Sequence, residues 1–141
     1  MILTTTEIEL VQRSWAVILP RARQTARLFY ARLFETHPEL KPLFHSDMQE
    51  QGRKLMAMLN LAVASLGRLE PLLATIRESG KRHAAYGVTD EDYEKVAQAL
   101  LWTLEQGLGE AFTPEVRKAW AAVYGTVAEA MKAGAAEQPA A

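Results

Sequence analysis

The most informative part of the sequence is Phe29-Tyr30-Ala31-Arg32-Leu33-Phe34, followed by Pro38-Glu39-Leu40 and Leu43-Phe44. Its large apolar residues recur at helical spacing, and the proline favours a new, short helical turn directly after the first helix. Aromatic residues at such spacing are most often simple core residues, so this stretch alone indicates a helical core and no function.

The helical pattern continues on both sides of this stretch, and no segment shows the alternation of a strand. Thr4 with Glu7 forms a capping box, and Thr113 followed by Pro114 is a second strong helix start. We expect about seven or eight helices, several of them short and crossing at steep angles. Their expected ranges are Thr5–Ile18, Arg21–Thr36, Pro38–Leu43, Gln51–Leu66, Pro71–Ala84 and Asp90–Leu108, with a last helix from Pro114 that reaches Met131.

Composition excludes several function classes. The chain has 141 residues, which is the length of one ordinary domain. Its 16 basic and 17 acidic residues give a net charge of −1, which does not favour nucleic-acid binding. It has no cysteine, so disulfides, thiol nucleophiles and cysteine metal sites are excluded. It shows neither a secretory signal nor an apolar run long enough to span a membrane, so we expect a cytoplasmic protein. The low-complexity end predicts a flexible tail at residues 134–141 after a domain at residues 1–133.

The three histidines differ in their surroundings. His37 precedes a proline at a helix junction and His45 begins a polar segment, so both are typical of solvated or capping residues. His83 stands in the last turn of a helix and shares the apolar face of Ile76, seven residues earlier. Such a histidine is either a satisfied core residue or a metal ligand, and this feature alone leaves both readings open.

Spacing across the chain adds to this picture. Gln51 and Leu55 lie four residues apart and share one helix face, His83 follows Gln51 by 32 residues, and Tyr93 follows His83 by ten. Val123-Tyr124-Gly125 lies in the last helix. Together with the Phe29–Phe44 stretch, this set resembles the bacterial globins, in particular the haem domain of flavohaemoglobins and the single-domain globins close to it. The resemblance runs from about Thr5 to Met131.

The resemblance implies a three-over-three helical sandwich around a haem, with a role for each matched residue. On the proximal side it implies His83 as the iron ligand and Tyr93 as the tyrosine beside the imidazole. On the distal side it implies Tyr30 and Gln51 as the polar pair and Leu55 as the apolar wall above the iron. It also implies Phe44 as the ring that stacks on the haem, and Lys54 and Arg82 as partners of the propionates. The remaining apolar walls of the haem slot are expected from Leu33, Leu59, Val88, Val96, Leu100 and Val127.

These roles agree with elementary chemistry. A neutral imidazole gives iron one strong axial bond, and its other nitrogen needs an acceptor, for which the carbonyl of Ser79 is one turn away. Without cysteines the haem is held non-covalently, as haem b. Hydroxyl and carboxamide donors opposite the imidazole predict tight binding of O2 and of NO and CO. Unlike an imidazole, a glutamine at position 51 is a poor sixth ligand.

Two departures from the flavohaemoglobin pattern bear on function. The glutamate that partners the proximal tyrosine there has its counterpart by count in Glu137, inside the expected tail. The chain also ends where flavohaemoglobins continue into flavin- and nicotinamide-binding domains, so we expect a separate reductase. The first functional hypothesis is therefore an O2-binding protein. The second is a nitric oxide dioxygenase that makes nitrate, and the third is a haem-free helical sensor or adaptor.

Overall fold

The computed structural model describes residues 3–44, 47–68, 70–85 and 88–136, and within them it is helical throughout. Four 3-10 helices join or extend six α-helices, and no strand occurs in these ranges. The prediction of an all-helical fold is confirmed. The α-helices are α1 (Thr5–Ile18), α2 (Ala22–Thr36), α3 (Met48–Ala64), α4 (Glu70–Ala85), α5 (Asp90–Leu108) and α6 (Pro114–Ala136), and the 3-10 helices are Leu19–Arg21, Pro38–Leu43, Leu66–Arg68 and Gly109–Ala111.

Local signals explain most helix boundaries. At the start of α1 the Glu7 amide donates to the Thr4 hydroxyl at 3.1 Å, and the Thr4 amide donates to the Glu7 carboxylate at 2.9 Å. The Thr113 hydroxyl likewise accepts from the Val116 amide at 3.2 Å and starts α6. Gly109 ends α5 with φ of 57°, a conformation that glycine adopts at little cost.

Two predicted boundaries need correction. Helix α3 begins at Met48 and not near Gln51, because the Asp47 carboxylate caps it by accepting from the Glu50 amide at 3.4 Å. Helix α6 continues to Ala136, past the point where the flexible tail was predicted to begin. Gly134 is buried inside this helix, because its missing side chain lets α6 approach α4.

Helices α1, α3 and α4 pack across α2, α5 and α6. The centre of the main core is a pair of indoles, Trp15 and Trp120, with ring centroids 5.9 Å apart. Each indole N–H has a partner, since Trp120 donates to the Ser14 hydroxyl at 2.8 Å and Trp15 donates to the Asn60 side chain at 2.9 Å. These bonds tie α1 to α6 and α3, so the core joins both layers.

A second, smaller apolar cluster lies between α3, α4 and α6 and consists of Ala62, Leu72, Ile76 and Ala130. The most extensive helix packing in the described part of the chain is that of α4 on α6. It depends on two glycines, since a Cβ on Gly80 would overlap the backbone of Met131, and a Cβ on Gly134 would overlap the backbone of Arg77. Helix α4 therefore takes its position from a close backbone crossing with α6.

This crossing predicts that Gly80→Ala lowers the free energy of unfolding by about 1–3 kcal/mol, because the added methyl must push two helix backbones apart. Urea unfolding followed by circular dichroism measures the change. Gly125→Ala is the matched control, since Gly125 lies in α6 and a Cβ there would have no packing neighbour within 4 Å. The control should gain about 0.5–1 kcal/mol from helix propensity. Equal stability of the two variants would contradict the close crossing.

Candidate functional site

His83 lies in the last turn of α4 and is half-buried, and its ring contacts Ser79 in the preceding helical turn. Its Nδ1 is 2.6 Å from the carbonyl oxygen of Ser79, and the hydroxyl of the same buried serine is 3.5 Å away. A carbonyl oxygen can only accept, so Nδ1 carries a proton, and in the neutral ring Nε2 then keeps its lone pair. The predicted acceptor is thus in place, and the ring has the tautomer that an axial iron ligand requires.

Tyr30 lies in α2 with only 8% of its surface exposed. Burial raises the pKa of its hydroxyl to about 12, so the phenol stays protonated at physiological pH. Its ring contacts Phe29 edge-on at 4.9 Å, and it also meets the rings of Phe34 and Phe44 at 6.0 and 5.5 Å. The Phe34 and Phe44 centroids are 5.3 Å apart, so Tyr30, Phe34 and Phe44 form a closed group that we call the aromatic triangle.

Gln51, Leu55 and Leu59 lie on α3 and are all half-buried, as their spacing predicts. The backbone amide of Gln51 donates to the Asp47 carbonyl at 2.9 Å, so the cap of α3 fixes where this face starts. In the described residues no hydrogen bond occupies the Gln51 carboxamide, which leaves both ends of that group available to a ligand.

The predicted wall residues differ in how deeply their side chains are buried. Phe44, Leu55, Leu59 and Val96 are partly exposed at the edge of the main core, and Val127 is partly exposed at the edge of the second cluster. Val88 is half-buried as well. Leu100 is 6% exposed, and Leu33 is fully buried, so these two support the wall from inside. Partly exposed apolar side chains at the margins of the two clusters, together with a histidine whose Nδ1 is bonded to a carbonyl, are residue types that fit a flat apolar cofactor such as haem.

The other predicted residues are placed as follows. Lys54 and Arg82 are exposed. Tyr93 is buried in α5, its carbonyl accepts from the Tyr124 hydroxyl at 2.7 Å, and the Lys132 ammonium lies 5.9 Å from the centre of its ring. Burial, with the charges of Asp90 and Asp92, raises the pKa of Tyr93. In the described part of the chain no hydrogen bond joins Tyr93 to His83.

Two contacts were not predicted by the sequence analysis. Tyr124 belonged to the matched pattern without a role, and Lys132 showed no signal at all, because its position over Tyr93 depends on how α5 and α6 pack. His37 pairs with Glu39 at 3.3 Å, as a surface residue does. His45 and Glu137 lie outside the described residues.

The larger of the two cavities described lies between α2 and α3 and has a volume of about 910 Å³. We call it the α2–α3 cleft. Of the predicted site residues it contains Tyr30 and Phe44 and neither Gln51 nor His83. Its lining residues are Ala22, Arg23, Ala26, Arg27, Tyr30, Ala31, Phe34, Lys41, Phe44, Asp47, Met48, Gln49, Glu50, Gly52, Arg53 and Met56.

In the described ranges no helix is long and apolar enough to cross a lipid bilayer. This agrees with the expectation from hydropathy.

Comparison with known proteins identifies the family. The Globin family profile matches residues 27–131. A flavohemoprotein of Rhizobium meliloti is 32% identical over 86% of this chain, and one of Bacillus subtilis is 29% identical over 87%. The chain spans about a third of the length of each, 31% and 32%. A neuroglobin of Chaenocephalus aceratus is 31% identical over 89% of this chain and 88% of its own length.

Solved structures agree with this assignment. An engineered carbene transferase, made from a Rhodothermus marinus protein that is provisionally named a nitric oxide dioxygenase, superposes with a TM-score of 0.87. It is 26% identical, and the match covers 96% of this chain and 94% of that one. A hexacoordinated haem protein from an anhydrobiotic tardigrade shares the fold, with a TM-score of 0.85 at 19% identity and 96% coverage of both chains. The profile and the relatives together place this chain in the globin family of haem proteins.

Proposed function

We propose that the protein binds haem b through His83 Nε2 and uses it to bind O2 tightly and reversibly, with NO and CO as further ligands. The observation that carries the proposal is the hydrogen bond from His83 Nδ1 to the Ser79 carbonyl, which leaves Nε2 as the free donor atom. Haem, when bound, supplies a ferrous iron with one position open to a diatomic gas. The family assignment supports this function over the haem-free sensor or adaptor.

The chain's own residues determine how tightly a gas is held. The Tyr30 hydroxyl stays protonated because its pKa is about 12, so it acts as a donor and not as a phenolate ligand. A donor aimed at a ligand that carries partial negative charge contributes about 1.5–3 kcal/mol in a dry pocket. The Gln51 carboxamide is a second donor on the same side, and it does not compete with the gas as an imidazole would.

The remaining residues hold the cofactor and exclude water. The partly exposed apolar residues Phe44, Leu55, Leu59, Val96 and Val127 gain burial against the two faces of the ring. Lys54 and Arg82 are exposed and cationic, which suits the two propionates at the edge of the slot. These contacts are non-covalent, in keeping with a chain that has no cysteine.

His83→Ala should abolish stoichiometric haem binding, because it removes the only iron donor that the proposal assigns. Haem content is measured by absorbance after reconstitution with hemin and desalting, and extraction into acidic acetone shows that the haem is not covalently attached. His37→Ala is the control, since that histidine pairs with Glu39 at the surface. Haem bound to His83→Ala at full stoichiometry with unchanged axial ligation would refute the assignment.

Tyr30→Phe should speed O2 dissociation by about ten- to a hundredfold, the rate equivalent of one charge-assisted hydrogen bond. Stopped-flow displacement of O2 by CO measures the rate. In the unmodified protein the rate should stay constant up to about pH 10, because burial holds the pKa of the Tyr30 hydroxyl at about 12. A dissociation rate that is equal in both proteins would remove the donor role.

A second candidate function is nitric oxide dioxygenation, favoured by the Rhodothermus marinus structure and by the flavohemoproteins. One O2, one NO and one electron give one nitrate, so turnover requires a reductase. Tyr30 and Gln51 would hold the O2 in place by donating hydrogen bonds to it.

The turnover assay supplies reduced protein with O2, NO and a ferredoxin- or flavin-type reductase. Sustained NO consumption with one nitrate formed per NO is the expected result for this function. Nitrate formed only once per haem, whatever the reductase concentration, would leave the O2-binding protein as the remaining function.

A further inference from the structure

The α2–α3 cleft has an apolar floor and an aromatic inner end. Ala22, Ala26, Gly52 and Met56 line its floor, where α2 and α3 pass so close that a Cβ on Gly52 would lie 3.0 Å from that of Ala26. The inner end is the aromatic triangle, all three rings of which line the cleft. Since Tyr30 lines the cleft and is also the proposed distal donor, the cleft reaches a residue of the proposed distal side.

The rim of the cleft is basic. Arg23 and Arg27 lie one turn apart on α2, and Lys41 and Arg53 also line the cleft. Its two acids are Asp47, which caps α3, and Glu50, which pairs with Arg53. In the described part of the chain, no carboxylate pairs with Arg23, Arg27 or Lys41. The lining of the cleft therefore includes four cationic and two anionic side chains, although the whole chain carries a net charge of −1.

We propose that the α2–α3 cleft admits small inorganic anions of the nitrite and nitrate class to the distal side of the haem and releases them from it. This inference rests on the proposed function, because it needs a haem behind Tyr30. The cationic rim raises the local concentration of anions, and guanidinium groups match the planar, two-oxygen edge of nitrate and nitrite. Gases without charge gain nothing from the rim, so the cleft distinguishes ligands by charge.

The triangle is the barrier on this route. Its rings contact one another edge-on or stacked at centroid distances of 5.3–6.0 Å, with no covalent or hydrogen-bond tie between them. A small anion passes when Phe34 or Phe44 rotates, and both rings are only partly buried. The Tyr30 hydroxyl then offers the arriving anion a hydrogen bond.

The test uses the haem-loaded ferric protein with azide as the anionic probe and NO as the uncharged probe. The double variant Arg23→Gln/Arg27→Gln removes two exposed charges from the rim without touching the core. We expect it to slow azide association by about three- to tenfold at low ionic strength and to leave NO association unchanged. The difference should vanish at high salt, where rim charges are screened.

The matched control is Arg117→Gln/Lys118→Gln, which removes the same charge from exposed positions of α6 outside both cavities. An equal loss of azide rate in this control would show an effect of net charge alone and would overturn the steering role of the cleft.

A second variant tests the route itself. Ala31 is exposed and lines the cleft on the same side as Arg27, so Ala31→Phe narrows it with little effect on folding. We expect several-fold slower association of both probes, whereas Ala16→Phe on α1 should change neither. Unchanged association rates in Ala31→Phe would overturn the proposal and would indicate that the ligands enter beside Gln51 instead. Since the unmodified protein must first bind haem for any rate to be measured, failure of the proposed function is seen separately, in the His83→Ala experiment.

Discussion

The hydrogen bond from His83 to the Ser79 carbonyl is the interaction on which the proposed chemistry depends. It fixes the tautomer of the ring and the direction of Nε2 with atoms of the same helix turn. The ring is then only as well placed as α4 itself, and α4 takes its position from the crossing with α6 at Gly80 and Gly134. Gly80, one turn before His83, and Gly134 on α6 thus determine where the proposed iron donor lies.

Tyr30, on the proposed distal side, is positioned by a different kind of interaction. Tyr30 is positioned by ring packing, and the same burial that positions it also keeps its hydroxyl protonated. The aromatic triangle therefore acts as a wall and also maintains a hydrogen-bond donor. Because the triangle also lines the α2–α3 cleft, one group of rings belongs both to the proposed ligand donor and to the proposed route for anions.

The sequence predicted those features that depend on neighbours in the chain. The bounds of α1 and α5 were correct because their signals are local: the Thr4–Glu7 capping box starts α1, Thr89 with Asp92 starts α5, and Gly109 ends it. The histidine acceptor was predicted because it lies one turn away. The start of α3 was placed too late, since Asp47 looks like a loop residue until its carboxylate is seen to accept from Glu50.

Features that depend on contacts between distant segments were missed. Gly134 was predicted to begin a flexible tail, and only the approach of α4 shows why a glycine is needed there. The α2–α3 cleft combines residues from α2, a 3-10 helix and α3, and none of the segments alone predicts a cavity. Lys132 meets Tyr93 through the packing of α5 and α6.

The proximal partners also bear on the kind of chemistry the site favours. The acceptor of His83 Nδ1 is a neutral carbonyl, and the charged group over the Tyr93 ring is the cation of Lys132. A neutral acceptor polarises the Nδ1–H bond of the imidazole only weakly. The ring would therefore donate less charge to iron than an imidazole that is hydrogen-bonded to a carboxylate. Weak donation from this side does not favour cleavage of an O–O bond. Such a proximal side suits reversible gas binding, and it suits dioxygenation less well, because the conversion of O2 and NO to nitrate breaks the O–O bond.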